Sequence, residues 1–375
     1  MEDLVSRGPG LGSPAGLVEP GFWRGRKVLV TGHTGFIGGW LSAWLHALEA
    51  EVTGFALPPP TVPSFHDLTA LGRRARSIIG DVRTPAALAD AFAAARPDVV
   101  LHLAAQSLVR TGNYEPVETF STNLMGTVNV LDIARRHRPD AVLLMTSDKV
   151  YGASRGSSGH VEEDALGAVE PYGGSKACCE LAAEAYGHSY FASAQIGLAT
   201  VRAGNVIGGG DWGEHRLIPD AVRAFSKGDR LRLRRPAAVR PWQHVLDAVS
   251  GVLVVAQATA RRGGPLGAWN IGPAGNATTV KEMAERFAAE WGGGATISDD
   301  GPADFPEAEF LALDASRARR ELGWDSPWSL DEVVRRTAAW YKAALRGEEA
   351  WGLTMRQIEA YQAERVRCVE SAAAG

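Results

Sequence analysis

Cysteine is scarce in this chain: Cys178, Cys179 and Cys368 are the only three among 375 residues. Two adjacent thiols and one distant one have neither the pattern of a disulfide framework nor metal-ligand spacing. They read as small buried hydrophobes in a reducing compartment. No apolar run approaches the ~18 residues that span a bilayer, so no membrane partner is expected. The first twenty residues lack a positive start and an apolar stretch of about 7–15 residues, so no signal peptide is expected in them. With Glu2, Asp3 and many Gly and Pro, positions 1–21 predict a disordered leader, and the default address is the cytosol. A surplus of one charge is missing too. Lys and Arg number 39 against 43 Asp and Glu, a formal net charge of −4, which provides no footprint for a nucleic acid.

What is present is ordinary globular material, 45% hydrophobic and 22% charged, with an unusual 11 Trp. At ~150 residues per domain the length corresponds to about two and a half domains, hence two interlocked ones. Arg26–Val30 is a short β-branched strand, followed by the turn TGHTGFIGGW and a helix with Leu41, Trp44, Leu45 and Leu48 on one face. Further strands are expected at 51–57, up to Gly80-Asp81-Val82, at 99–103 and at 141–146, with helices over 85–95 and 123–137. Strands that are apolar throughout and alternate with amphipathic helices indicate a parallel sheet covered on both faces. The expectation is therefore an α/β protein: a Rossmann-type doubly wound sheet with a smaller, mainly C-terminal α/β domain. Its larger domain takes residues 22–204 plus about 240–268. The smaller takes about 205–239 plus 269–375, with helices near 216–227, 278–291 and 329–346.

Gly32, Gly35 and Gly38 follow the first strand and open its helix. The first permits a tight turn, the second lets backbone approach a pyrophosphate, and the third allows the helix to pack closely on the strand. The acidic residue expected about 20 positions on to hold a ribose is missing, because the second strand runs into Pro58, so this motif does not decide NAD against NADP. Asp81 reads equally as an adenine-amine ligand and as a turn residue. Thr146-Ser147-Asp148-Lys149 closes a strand at its carboxyl end, where such sheets bind ligands. Tyr172 and Lys176, four apart at the start of a helix, share one face, and the ammonium and the helix start are both expected to lower the phenol's pKa. The run Arg230 to Arg235 reads as a solvated basic face. Trp212 and Trp242 fall in segments expected to meet substrate, and most other tryptophans past the first half read as core.

TGHTGF, HLAAQSLVR, TSDKVY, YGGSK, RAGNVIGGGDW, RLIPD and RPWQHVL together resemble the extended short-chain dehydrogenase/reductases that act on nucleotide sugars, within them the CDP-glucose 4,6-dehydratase group. The likeness runs from Phe22 to about Tyr361. It implies a bound NAD held by Gly32, Thr34, Gly35, Phe36, Ile37, Gly38, Asp81, Val82, Leu103, Ala104, Ala105, Tyr172, Lys176 and Arg202. It implies a nucleotide sugar such as CDP-glucose held by Gln106, Asn205, Arg216, Leu217, Arg240 and Trp242. In chemistry, it implies C4 oxidation with Tyr172 as base, Lys176 fixing ribose and phenolate, and Ser147 bridging to O4. Asp148 would then protonate the departing C6 hydroxyl, and hydride would return to C6. Lys149 stands where the related dTDP-glucose enzymes carry a glutamate, so the C5 proton goes to Lys149, to another group or to water. Ile37 and Gly39 replace the group's usual Lys and Ser. The resemblance also implies a homodimer through the 123–137 and 172–186 helices. Another 4,6-dehydratase, a 4-epimerase of the same fold and a silent NAD-binding scaffold are the rival readings.

Overall fold

The computed structural model describes residues 16–152, 159–272, 275, 277–301 and 308–374. Seven strands form one parallel sheet: β1 (Lys27–Thr31), β2 (Glu51–Ala56), β3 (Arg76–Ile79), β4 (Val99–His102), β5 (Ala141–Met145), β6 (Gly197–Ala203) and β10 (Pro265–Ile271). Their order is β10-β6-β5-β4-β1-β2-β3. The chain winds outward from β1 to β3, returns to β4 and winds the other way, so the connections from β1 and β4 part and open a crevice at the strands' carboxyl ends. Residues of β4 and β6 are buried without exception, as full cover on both faces requires.

Two apolar layers provide that cover. On one face pack the helices Pro85–Ala95 and Gly126–His137, with Phe92, Val130, Leu131 and Phe191 buried. On the other lie the helices Phe36–Ala47 and Val245–Arg262, whose core continues without a break into the C-terminal helices. Trp40 stacks on Phe65 with ring centroids 5.3 Å apart, a contact worth about 1 kcal/mol beyond burial. His244 caps the Val245–Arg262 helix. Its Nδ1 accepts from the Leu246 N–H at 3.1 Å while Asp247 accepts from the His244 N–H at 3.0 Å.

A second layer of short strands lies beside the sheet's carboxyl edge. β7 (Asn205–Ile207) pairs with β9 (Val239–His244), which pairs with β11 (Ala277–Thr279), and β8 (Leu231–Arg232) pairs with β12 (Ile297–Ser298). The helices Leu217–Phe225 and Val280–Trp291 pack here, joined by Phe225 and Phe287 at 6.4 Å.

Three expected boundaries move. The first fifteen residues of the expected leader lie outside the described chain, but its end is structured. The Leu17 carbonyl and the Glu19 N–H both bond Gln257, and a helical turn spans Pro20–Trp23. A domain boundary at 268 would cut β10, where Trp269 is fully buried in the large sheet. The C-terminal helix Ala350–Ala374 also docks on the large sheet's side, with Tyr361 edge-on to Trp44 and its hydroxyl donating to Asp247 at 2.9 Å. Sequence periodicity locates a helix but not the face of the molecule it covers. Among the described residues no helix is long and apolar enough to cross a membrane.

Candidate functional site

The glycine turn forms the crevice floor. Gly32 has φ +82°, and a Cβ there would stand 2.7 Å from the Ala104 nitrogen; one on Gly38 would stand 2.2 Å from the Gly32 carbonyl oxygen. Both positions must be glycine for turn, helix and β4 to meet. Gly35 caps the Phe36–Ala47 helix without a side-chain acceptor, which leaves first-turn N–H groups for an anion. Phe36, Ile37, Leu103 and Ala105 line the crevice. A dinucleotide fits this cradle: an uncapped twelve-residue helix, a turn no side chain can fill and an apolar wall.

Other expected cofactor positions are engaged locally. Thr34 donates its hydroxyl to the Leu57 carbonyl at 2.9 Å and ties the turn to β2. Asp81 accepts from the Arg83 N–H at 2.8 Å and pairs with its guanidinium, which holds the carboxyl below the usual range. Val82 packs against Gly126. Arg202 is a correction. It is buried, donates to Glu180 at 2.9 Å and to the Tyr151 hydroxyl at 3.0 Å, and does not line the crevice. Gln106 is another. Its side chain bonds the Leu108 backbone and Thr119, fixing a loop rather than facing a ligand. Both residues sit in ligand-binding motifs, but a motif does not state which way a side chain points.

The reacting groups come from the ends of β5 and the Pro171–Tyr186 helix. Glu170 caps that helix, accepting from the Tyr172 and Gly173 N–H groups at 2.7 and 2.8 Å. A Cβ at Gly173 would meet the Lys149 carbonyl at 2.5 Å, so glycine brings the helix onto the β5 turn. Ser147 donates to Asp148 at 3.1 Å and is hydrogen-bonded to the Tyr172 phenol. Asp148 Oδ2 is buried with no hydrogen-bond partner among the described residues, and Asp148 Oδ1 lies 3.8 Å from Lys149 Nζ. Lys176 donates to the Met145 carbonyl at 3.0 Å. The expected lowering of the tyrosine is not found. Burial pushes the Tyr172 phenol up to about 12, and the Asp148 and Glu170 charges add to this against the Ser147 bond and Arg216. Burial likewise lowers the Lys176 amine. Desolvation outweighs the helix start here because the ring is 8% exposed.

The opposite wall comes from the second layer. Asn205, Leu217, Arg240 and Trp242 line it, and the Trp242 indole donates to the Thr278 carbonyl at 3.2 Å. Arg216 bonds Asp211 at 3.0 and 3.1 Å and Ser107 at 2.8 Å. Trp212 turns away, edge-on to Tyr341 at 5.3 Å. The solvated-face reading of the arginine run holds for Arg230, which is exposed, but is incomplete for the rest: Arg232, Arg234 and Arg235 line the crevice, with His215 and Asp220 near them. Alternation along a two-residue strand is too short to announce this; the signal was the Leu-Arg-Leu-Arg pattern itself.

Residues 28–272 match the NAD dependent epimerase/dehydratase family. The chain is 42% identical over 94% of its length to the whole of the CDP-glucose 4,6-dehydratase of Salmonella typhimurium. It is 31% identical over 65% of its length to a dTDP-glucose 4,6-dehydratase of Streptomyces griseus, covering 71% of that protein. Among solved structures, a dTDP-glucose 4,6-dehydratase of Streptomyces venezuelae with NAD bound superposes with a TM-score of 0.74 and 26% identity, over 86% of this chain and 99% of that one.

Proposed function

This chain belongs to the NAD-dependent epimerase/dehydratase family, and from that premise we propose that it converts CDP-glucose to CDP-4-dehydro-6-deoxyglucose. The observation that carries the reading is Asp148, a buried acid with an unpartnered oxygen beside Tyr172 and Ser147. Bound NAD would supply the hydride acceptor for oxidation at C4 and, once reduced, the hydride donor at C6. The turn Gly32–Gly38 and the start of the Phe36–Ala47 helix would hold its pyrophosphate, and Leu103 and Ala105 line the crevice beside them.

The chain's own residues move the protons. Tyr172 accepts the O4 proton, and Ser147, already bonded to the phenol, aligns the hydroxyl. Lys176, one helical turn after Tyr172 and fixed by the Met145 carbonyl at 3.0 Å, is assigned to the ribose and the phenolate. The C4 ketone then acidifies C5–H. Asp148 gives a proton to the C6 hydroxyl, which departs as water. The C5 proton passes to Lys149, whose Nζ lies 3.8 Å from Asp148 Oδ1, or to water, because Asp211 and Glu170 are committed elsewhere. Arg240 and Arg216 provide the guanidinium donors that suit a diphosphate.

Val117, Met125 and Leu181 are exposed apolar residues on or beside the 123–137 and 172–186 helices, which supports a homodimer through that face. Three free thiols fit a cytoplasmic site of action. A 4-epimerase would need no acid at C6, so Asp148 favours elimination. Incubation with CDP-glucose should yield a product lighter by one water that absorbs in alkali as a 4-keto sugar. A C4 epimer alone would sink the reading.

A further inference from the structure

Along one wall of the crevice the polar groups follow a sequence. Arg216 lies near enough to Tyr172 for their charges to interact. His215, its neighbour in the chain, holds the next guanidinium: its carbonyl accepts from Arg234 at 2.8 Å, and its ring nitrogen lies 3.2 Å from the same group. Arg234 in turn lies 3.5 Å from the Asp220 carboxylate. The wall thus runs from the reacting phenol through a phosphate-suited guanidinium to an arginine–aspartate pair, the order in which hexose, diphosphate and base occur in a nucleotide sugar.

The pair is held from behind and open in front. Leu233 N–H donates to the Ser298 carbonyl at 2.7 Å and the Gly301 N–H to the Leu233 carbonyl at 2.9 Å, which fixes the backbone under Arg234. Arg223 pairs with Asp220 and is itself tied to the Trp212 and Gly213 carbonyls at 3.0 and 3.1 Å. The two side chains stay about one-third exposed, at 32% and 31%, and both line the crevice. A guanidinium offers donors only and an ionised carboxylate acceptors only. Cytosine presents the matching edge: adjacent acceptors at N3 and O2, and an amino donor at C4. Uracil and thymine present N3–H and O4 instead, which sets donor against donor and acceptor against acceptor.

We infer that Arg234 and Asp220 are the specificity-determining pair for a cytosine nucleotide, with Arg234 donating to N3 and O2 and Asp220 accepting from the amino group. This deepens the proposed function and rests on it for where the hexose lies. The test measures CDP and UDP binding by calorimetry on the full-length protein with NAD present, beside turnover of CDP-glucose. The original chain should prefer CDP. Asp220→Asn, whose amide can serve either base, and Arg234→Gln, whose oxygen can accept uracil N3–H, should each reduce the CDP-to-UDP affinity ratio about tenfold to a hundredfold. Equal loss of both ligands would mark the pair as structural only and overturn the inference, as would equal binding of CDP and UDP by the original chain. Retained preference without any dehydration would leave the base assignment standing and remove the dehydratase reading.

Discussion

The crevice has two walls that are built in opposite ways. The wall made by the ends of β5 and the Pro171–Tyr186 helix is closed and desolvated: Tyr172, Lys176, Ser147 and Asp148 are all buried, and each is fixed by a neighbour within a few residues or one strand away. The wall made by the second layer is open and ionic, with Arg216 and Asp220 at one helix start and Arg234 just past β8, all held by ion pairs. Proton transfer gains from a dry, rigid site, where each charge interacts strongly. Choosing among nucleotides needs directional donors and acceptors that water can reach before the ligand arrives. The difference teaches that chemistry and selectivity are separable here, so each wall can be damaged alone.

The sharpest break is Tyr172→Phe. Loss of the proton acceptor should reduce turnover about 10²–10⁴-fold, with CDP affinity unchanged by calorimetry; a parallel loss of binding would mean the walls are not independent. Next comes Glu180→Gln. It leaves Arg202, buried at 5% exposure, without its carboxylate, and should cost about 3–5 kcal/mol in denaturant unfolding. NAD affinity of the folded protein should hold, since Arg202 faces Glu180 and Tyr151 rather than the crevice.

Acidification tests the dry side more broadly. Burial holds His33 at about 4 and His102 and His244 at about 3, against an ordinary 6.5. The unfolded chain therefore binds more protons below about pH 6.5, so stability from the neutral rings is complete above that pH and is lost as pH falls toward the folded values. Asp247, raised by burial to about 6, acts oppositely between its ordinary 3.8 and that value. Three rings against one carboxyl leave a net loss, each ring contributing about 1.4 kcal/mol per pH unit. Urea midpoints at pH 7.5 and 5.5 should fall accordingly, and a flat profile would contradict the neutral caps. The smallest effect belongs to the open wall's rim: Asp300→Ala removes the exposed partner of Arg232 and should leave the melting temperature and CDP binding unchanged, as exposed pairs do.

The dry wall was legible in the sequence because its parts are local. TGHTGF, TSDK and YGGSK each place several residues within one turn, and strand and helix periodicity fix where those turns end. The helices 85–95 and 329–346 were legible to within a residue for the same reason. What could not be read was direction and distance. Arg202 and Gln106 lie in informative motifs and point elsewhere, and the phenol's shift depended on burial that no spacing reports. Arg234 meets Asp220, fourteen positions before it, across the bend between the Leu217–Phe225 helix and β8, a distance that no motif states. The tryptophans show the same limit. Trp242 lines the crevice while Trp212, in a segment equally expected to meet substrate, joins the core edge.

The most direct test supplies CDP-glucose carrying deuterium at C4. If Tyr172, Ser147 and Asp148 act as described, the product loses one water and carries the deuterium in its C6 methyl group, transferred within the same molecule. A product that keeps C6 oxygenated, or a methyl group free of label, would contradict the account.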